Sequence, residues 1–326
     1  MTVPASWAVV SSGPFGALWL EELLRLGETP LWVVCGAPKP SGRGLKMRPL
    51  PVEEVARKAN LPLFSSPRPE EEAQRLCSEP QGSDPGASLP QVLFVVDCGR
   101  VIREPLLSLP PRGCVNLHPS LLPDLRGAAP IPRSLLRGDQ TTGTTLFRLV
   151  EAMDAGPIFA QQTLTVDPED DAETLSKRLA ALSARLAWDF LQNPPASPVP
   201  QDESKATQAP KILPHETRLS WGRPACEIGW AIRAFSPRPG AWTLHRGKRL
   251  RILRATPLAP EELPVSLLPG QIHLAPKAPV VFCGSGALAL LTVQPEGKVP
   301  MSAQDWIRGG RLREGEGFDG KGDSTT

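Results

Sequence analysis

Apolar and polar positions along this chain follow two rhythms. Through the first half, short unbroken apolar runs take turns with segments whose apolar residues recur at helical spacing. Residues 6–12 (SWAVVSS) read as a buried strand ending in a Gly13-Pro14-Phe15-Gly16 turn, and residues 17–26 then keep helical spacing with Glu21 and Glu22 outward. The same reading predicts strands at 31–35, 61–64, 92–96 and 114–117, and helices at 52–59, 69–77 and 129–136. Strands at 144–150 and 157–166 precede a long amphipathic helix over 172–190, with Leu175, Leu179, Leu182 and Leu186 along one side. This alternation implies an α/β domain with a mostly parallel sheet and helices on both faces. Ligands of such sheets bind beyond the carboxyl ends of the strands, where strand order switches. No G-x-G-x-x-G follows the first strand, so a dinucleotide site is not supported.

Beyond residue 192 the rhythm changes. Residues 193–213 are rich in Pro, Ser, Gln and Ala and read as a linker. A helix at 226–234 follows, then short strands at 241–244, 250–255, 270–274, 280–282 and 287–293, the spacing of a small β-barrel. The polar, Gly-rich stretch 313–326 is expected to fray as a flexible tail. The expected organisation is a catalytic domain over 1–192, the linker, a barrel over 214–312, and the tail.

Composition narrows the class. A chain of 326 residues can bury two cores, and 40% hydrophobic with 21% charged residues is ordinary for a soluble protein. Six scattered cysteines without a C-x-x-C pair point to reduced core thiols in a cytoplasmic protein, not to a disulfide framework or a metal site. No basic residue precedes the first apolar run, and no run approaches the roughly 20 residues that would span a bilayer. Neither a signal peptide nor a membrane span is therefore expected, and a monomer is the expected working unit.

The net charge of +2 conceals two unbalanced windows. Residues 39–48 hold Lys39, Arg43, Lys46 and Arg48; residues 233–254 hold Arg233, Arg238, Arg246, Lys248, Arg249, Arg251 and Arg254. Neither contains an acid, and phosphate binding favours such clusters. Candidate chemistry lies in NLHPSLLPDLRGAAP, residues 116–130, read with MDAG, residues 153–156. At a strand end, Asn116 and His118 share one face of the sheet. Joined by Asp154 from a second loop, they form a candidate carbonyl site. Asn116 offers a neutral donor for an oxyanion, His118 a proton carrier, and Asp154 a carboxylate to orient it.

NLHPSLLPDLRGAAPI followed by GDQTTGTTLFRLVEAMDAGPI resembles the methionyl-tRNA formyltransferase family. GAPKPSGRGLKMRPLPVEEVA, APKILPHETRLSWGRPACEIGWAIRAFSPRPGAW and LLTVQPEGKVPMSAQDWIRGGRL extend the likeness over nearly the whole chain. The resemblance implies a Rossmann-like domain followed by an OB-like barrel. It also implies formyl transfer from 10-formyltetrahydrofolate to methionine on initiator tRNA, with Asn116, His118 and Asp154 as the catalytic residues. Ser120, Leu121, Leu122 and Pro123 match its folate-contacting segment, and Val95, Val96 and Gly99 are expected to line the same cleft. Arg43, Lys46, Arg233, Lys248, Arg249 and Arg251 are the expected tRNA contacts. Asp124 and the Asp97-Cys98 pair depart from the family's usual residues. The competing readings are a sugar-amine or ribonucleotide formyltransferase, a formyl-folate hydrolase, or a non-catalytic RNA-binding relative. The basic loop around Arg43 and the basic second domain argue against a small acceptor.

Overall fold

A computed structural model describes residues 5–41, 46–78, 89–193, 197–258 and 267–319. The chain forms two compact units. The first comprises Met1–Pro130, Thr141–Thr165 and Ser176–Pro210; the second comprises Ile131–Gln140, Val166–Leu175 and Lys211–Thr326.

The first elements are β1 (Trp7–Ser11), α1 (Pro14–Arg25), β2 (Val33–Gly36), the hairpin β3 (Lys39–Ser41) and β4 (Lys46–Arg48), α2 (Pro51–Lys58), β5 (Leu63–Ser66) and α3 (Pro69–Ser78). Then come β6 (Val92–Val96), β7 (Cys114–His118), α4 (Pro130–Arg137), β8 (Thr141–Arg148), β9 (Ile158–Thr165) and α5 (Ala172–Gln192). The β3–β4 hairpin lies in the Gly/Arg-rich loop, whose sequence shows no strand alternation. Helices α1 to α4 each open on a proline, whose fixed φ suits the first turn and whose missing N–H would have no partner there.

The first unit is built on a seven-stranded sheet in the order β5-β2-β1-β6-β7-β8-β9. Strands β5 to β7 are parallel, and β8 and β9 are antiparallel additions, so the mostly parallel, Rossmann-like sheet is present. Ala8, Val10, Leu93, Val95 and Cys114 pack on one face with Ala73, Leu76 and Cys77 of α3. On the other face Phe94 meets Trp7 edge-on at 5.6 Å, Trp19 of α1 at 5.2 Å and Phe190 of α5 at 6.4 Å. Each such aromatic pair adds about 0.5–1.5 kcal/mol beyond the area it buries.

Asp97, just past β6, meets the start of α1. Its carboxylate accepts from Phe15 N–H at 3.0 Å, so the start of α1 meets an anion from its own chain, although Asp97 as a whole is exposed. Burial pushes the Asp97 carboxyl up from its ordinary range, against the Phe15 and Gly16 N–H groups. A side chain at Gly13 would collide with that carboxylate. Neighbouring Cys98 is buried, and burial raises its thiol to about 12.

The second unit adds α6 (Ala225–Phe235), β10 (Ala241–His245), β11 (Lys248–Leu258), β12 (Ile272–His273), β13 (Val280–Phe282), β14 (Ala287–Pro295), β15 (Met301–Ser302) and α7 (Ala303–Gly310). Its antiparallel sheet runs β10-β11-β14-β13-β12, with β15 on β14. The expected frayed tail is corrected over 313–319. Asp319 bridges Leu244 of β10 and Gly317 bridges Gln271 beside β12, so this segment links the two ends of the sheet. Phe318 stacks on Trp221 at 4.9 Å and Trp306 at 6.2 Å. Residues 320–326 of the expected tail lie outside the described residues.

Glu316 anchors this closure by accepting from Arg246 Nε at 2.6 Å and pairing with His245 Nε2 at 2.9 Å. The Arg246 guanidinium is the main reason its carboxyl falls to about 2; Arg313 N–H and His245 assist, and burial opposes. A depressed carboxyl contributes stability that is full above the ordinary value near 4.3 and lost as pH falls towards about 2. Thermal melts of Glu316→Gln should therefore lie below wild type at neutral pH, with the gap closing across that window. A gap independent of pH would refute the role. His273 likewise pairs Glu314 at 2.7 Å, so both His245 and His273 have carboxylate partners from residues 313–319.

Among the described residues no helix is long and apolar enough to cross a membrane.

Candidate active site

Chain order reverses between β1 and β6, and β7 lies next to β6. Asn116 and His118 continue the face begun by Cys114, opposite Phe147 and Thr145 of β8. The β8–β9 connection carries Asp154 at φ 51°, a left-handed conformation that aspartate tolerates through its short polar side chain. A Cβ at Gly156 would run into the Arg148 carbonyl, so only glycine lets this loop close against the end of β8.

His118 is 5% exposed, and its Nε2 lies 2.8 Å from the Leu125 carbonyl oxygen. A carbonyl only accepts, so Nε2 carries a hydrogen and donates it. Nδ1 is left as the basic nitrogen, 3.7 Å from Asp154 Oδ2. That separation is too long for a hydrogen bond, and it sets the carboxylate where it would face a proton taken up by Nδ1. Gly127 N–H holds the same carboxylate oxygen at 2.8 Å. Asn116 Oδ1 is sealed from solvent with no hydrogen-bond partner among the described residues. The structure thus brings His118 and Asp154 within 3.7 Å of each other and sets Asn116 two positions before His118 on the same strand face.

The SLLP segment is held from below. Thr145 Oγ1 donates to Ser120 O at 2.7 Å and accepts from Leu122 N–H at 3.0 Å, while Gln161 Nε2 donates to Leu122 O at 2.7 Å. Ser120 turns its hydroxyl onto Asp124 O at 2.6 Å. Ser120 and Leu122 are buried, whereas Leu121 and Pro123 keep half-buried side chains. Of the other expected cleft residues, Val95 and Val96 are core side chains, while Gly99 is exposed at φ 67° with open space around its Cβ position.

Several residues that frame the site were not expected. Residues 197–210, within the stretch read as a linker, run along the first unit. Val199 pairs with Ile158, and Thr207 N–H donates to Pro123 O at 3.2 Å. Thr207 Oγ1 accepts from Leu125 N–H at 2.8 Å and donates to Asp124, which absorbs that departure from the family pattern. Ala209 exchanges backbone bonds with Arg126 at 2.6 Å and Ala129 at 3.1 Å. Arg126, 6% exposed, pairs with Glu203 at 2.7 Å and with Gln201 Oε1 at 2.7 Å. Arg126 and Gly127 lie inside the resemblance motif, whereas Gln201 carried no local signal at all.

The basic residues divide. Arg43 lies outside the described residues, and Lys46 opens β4. Arg233, expected on RNA, instead donates to Asp170 O at 2.9 Å among Asp167, Glu169 and Asp170. Burial there is the main influence pulling its guanidinium below the ordinary value. Arg254 pairs with Glu169 and Arg246 with Glu316, so acids from elsewhere balance part of the acid-free window. Lys248, Arg249 and Arg251 lie on β11. Arg249 stacks 4.4 Å from the Trp242 ring centre, and Arg251 donates to Gln294.

Residues 15–189 match the family described as formyl transferase, and residues 211–311 its C-terminal domain. The methionyl-tRNA formyltransferase of Methylococcus capsulatus is 39% identical over 298 residues, covering 90% of this chain and 93% of that protein. Those of Thermus thermophilus and Streptomyces coelicolor are 39% and 37% identical, with 91% of this chain covered in each case and 93% and 94% of theirs. Among solved structures, the N-formyltransferase from Helicobacter canadensis in complex with folinic acid and dTDP-3-aminofucose superposes with a TM-score of 0.61 at 13% identity. That match covers 88% of this chain and 99% of that one. HypX from Aquifex aeolicus in complex with tetrahydrofolic acid gives 0.59 at 16% identity, over 94% of this chain and 47% of that one, so this chain spans about half of it. Likenesses this distant in sequence establish the fold. Identity near two residues in five along nine-tenths of the chain establishes more: the chain belongs to the methionyl-tRNA formyltransferase family.

Proposed function

We propose that this protein transfers the formyl group of 10-formyltetrahydrofolate to the α-amino group of methionine on initiator tRNA. The observation that carries the mechanism is the approach of His118 Nδ1 to Asp154 at 3.7 Å, with Asn116 two positions earlier on the same strand face. The neutral α-amine, abundant near its reference pKa of about 7.7–8.0, attacks the formyl carbon. A new C–N bond forms as the carbonyl oxygen becomes an oxyanion, to which the Asn116 amide donates. His118 Nδ1 takes the proton released by the amine, and the Asp154 carboxylate offsets the imidazolium charge. Collapse breaks the bond to N10 of the folate, and the same proton passes from His118 to that nitrogen. Atoms and charge balance without a redox partner.

In this reading the first 192 residues perform the transfer, and residues 214–312 bind tRNA through Lys248, Arg249 and Arg251. The half-buried Leu121 and Pro123 with the open Gly99 form walls for the flat pterin. The test is one incubation with 10-formyltetrahydrofolate, charged Met-tRNA, a sugar amine and water as competing acceptors. Label is expected on methionine of the tRNA. Label accumulating mainly as formate or on the sugar amine would replace this reading with one of its rivals.

A further inference from the structure

We propose that Gln201 is a positioning residue for formyl transfer, acting through the backbone of the loop that carries Asp154. The proposal rests on the reading of Asp154 given above. Gln201 Nε2 donates to Asp154 O at 2.8 Å and to Gly156 O at 2.7 Å. Its Oε1 accepts from Arg126 Nε at 3.1 Å and Nη2 at 2.7 Å. Both hydrogens and both lone pairs of one amide are therefore used, the full capacity of the group. Arg126 is itself locked by a bidentate pair with Glu203, at 2.9 and 2.7 Å.

The amide grips the loop where its geometry is most demanding. Asp154 is a non-glycine residue at φ 51°, and Gly156 tolerates no Cβ against Arg148 O. The direction of the Asp154 carboxylate, towards Gly127 N–H and His118 Nδ1, follows from that backbone. Holding the two carbonyls from outside keeps the loop from relaxing to a more populated conformation. Attachment of residues 197–210 does not depend on this contact, because Val199, Thr207 and Ala209 anchor them through separate bonds. Loss of Gln201 should therefore leave the fold standing and displace Asp154.

Two variants test this in the full-length protein, assayed with 10-formyltetrahydrofolate and Met-tRNA. Gln201→Leu removes all four bonds. Gln201→Glu can still accept from Arg126 but loses both donors to the loop. Both should lower kcat by about 10- to 100-fold, the scale of a misplacement near 1 Å, with KM for either substrate unchanged. Adding Gln201→Leu to Asp154→Asn should produce no further loss, because the two residues act in series. Full kcat per folded molecule in both Gln201 variants overturns the proposal. So does a loss that multiplies undiminished on top of Asp154→Asn. Wild-type kcat in Asp154→Asn alone would overturn the site reading and this proposal with it; a slow Asp154→Asn beside a fully active Gln201→Leu would overturn the role of Gln201 only.

Discussion

Alanine at position 118 is expected to lower kcat for formyl transfer by about 10²- to 10⁴-fold, the range for losing a positioned general acid–base, with affinity for tRNA nearly intact. The size follows from the geometry. Leu125 O holds Nε2 as the protonated nitrogen, so Nδ1 is the site that exchanges a proton, with Asp154 beside it. His118→Gln separates this role from support of the loop, since its amide can still donate to Leu125 O but has no comparable basicity. If His118 works as a base, glutamine should be about as slow as alanine in single-turnover assays, while tRNA binding stays close to wild type. Activity equal to wild type in His118→Ala would remove the residue from the mechanism.

Asn116→Ala should reduce kcat by about 10²- to 10³-fold, as losing one oxyanion donor costs about 3–4 kcal/mol in the transition state. The unusual part of this prediction is its second half. Deleting a structural asparagine normally breaks bonds and lowers stability. Here Oδ1 is buried with no partner among the described residues, so alanine removes an unfavourable group from the resting protein. The melting temperature should hold or rise while activity falls. A drop in both would mean that Asn116 is a structural residue, and unchanged kcat would exclude it from the oxyanion site.

Much of the architecture could be read from the chain because it is encoded over short distances. The unbroken apolar run at 92–96 is β6 residue for residue, and the leucine stripe of 172–190 falls within α5. The step of two between Asn116 and His118 sufficed to place both on one sheet face once β7 was a strand. The errors share a different character. Arg233 and Arg254 looked like free cations because their acceptors, the Asp170 carbonyl and the Glu169 carboxylate, lie 63 and 85 positions away. The tail looked disordered because its order comes from Leu244 and Gly270, far upstream. The supposed linker is polar because it spends its polarity on a loop 75 to 82 positions earlier, at Arg126 and Leu125.

By itself, then, the sequence determined most of the elements and the family resemblance, and it singled out Asn116, His118 and Asp154 as candidates, because periodicity, proline placement and motif are properties of neighbouring residues. Tertiary structure alone decided that Nδ1 is the basic nitrogen of His118, that Gln201 grips the Asp154 loop, and that residues 313–319 link the two ends of the barrel sheet. Each of these depends on a carbonyl or carboxylate brought close by chain topology. A hydrogen bond is decided within about 3 Å in space, whatever the distance along the chain.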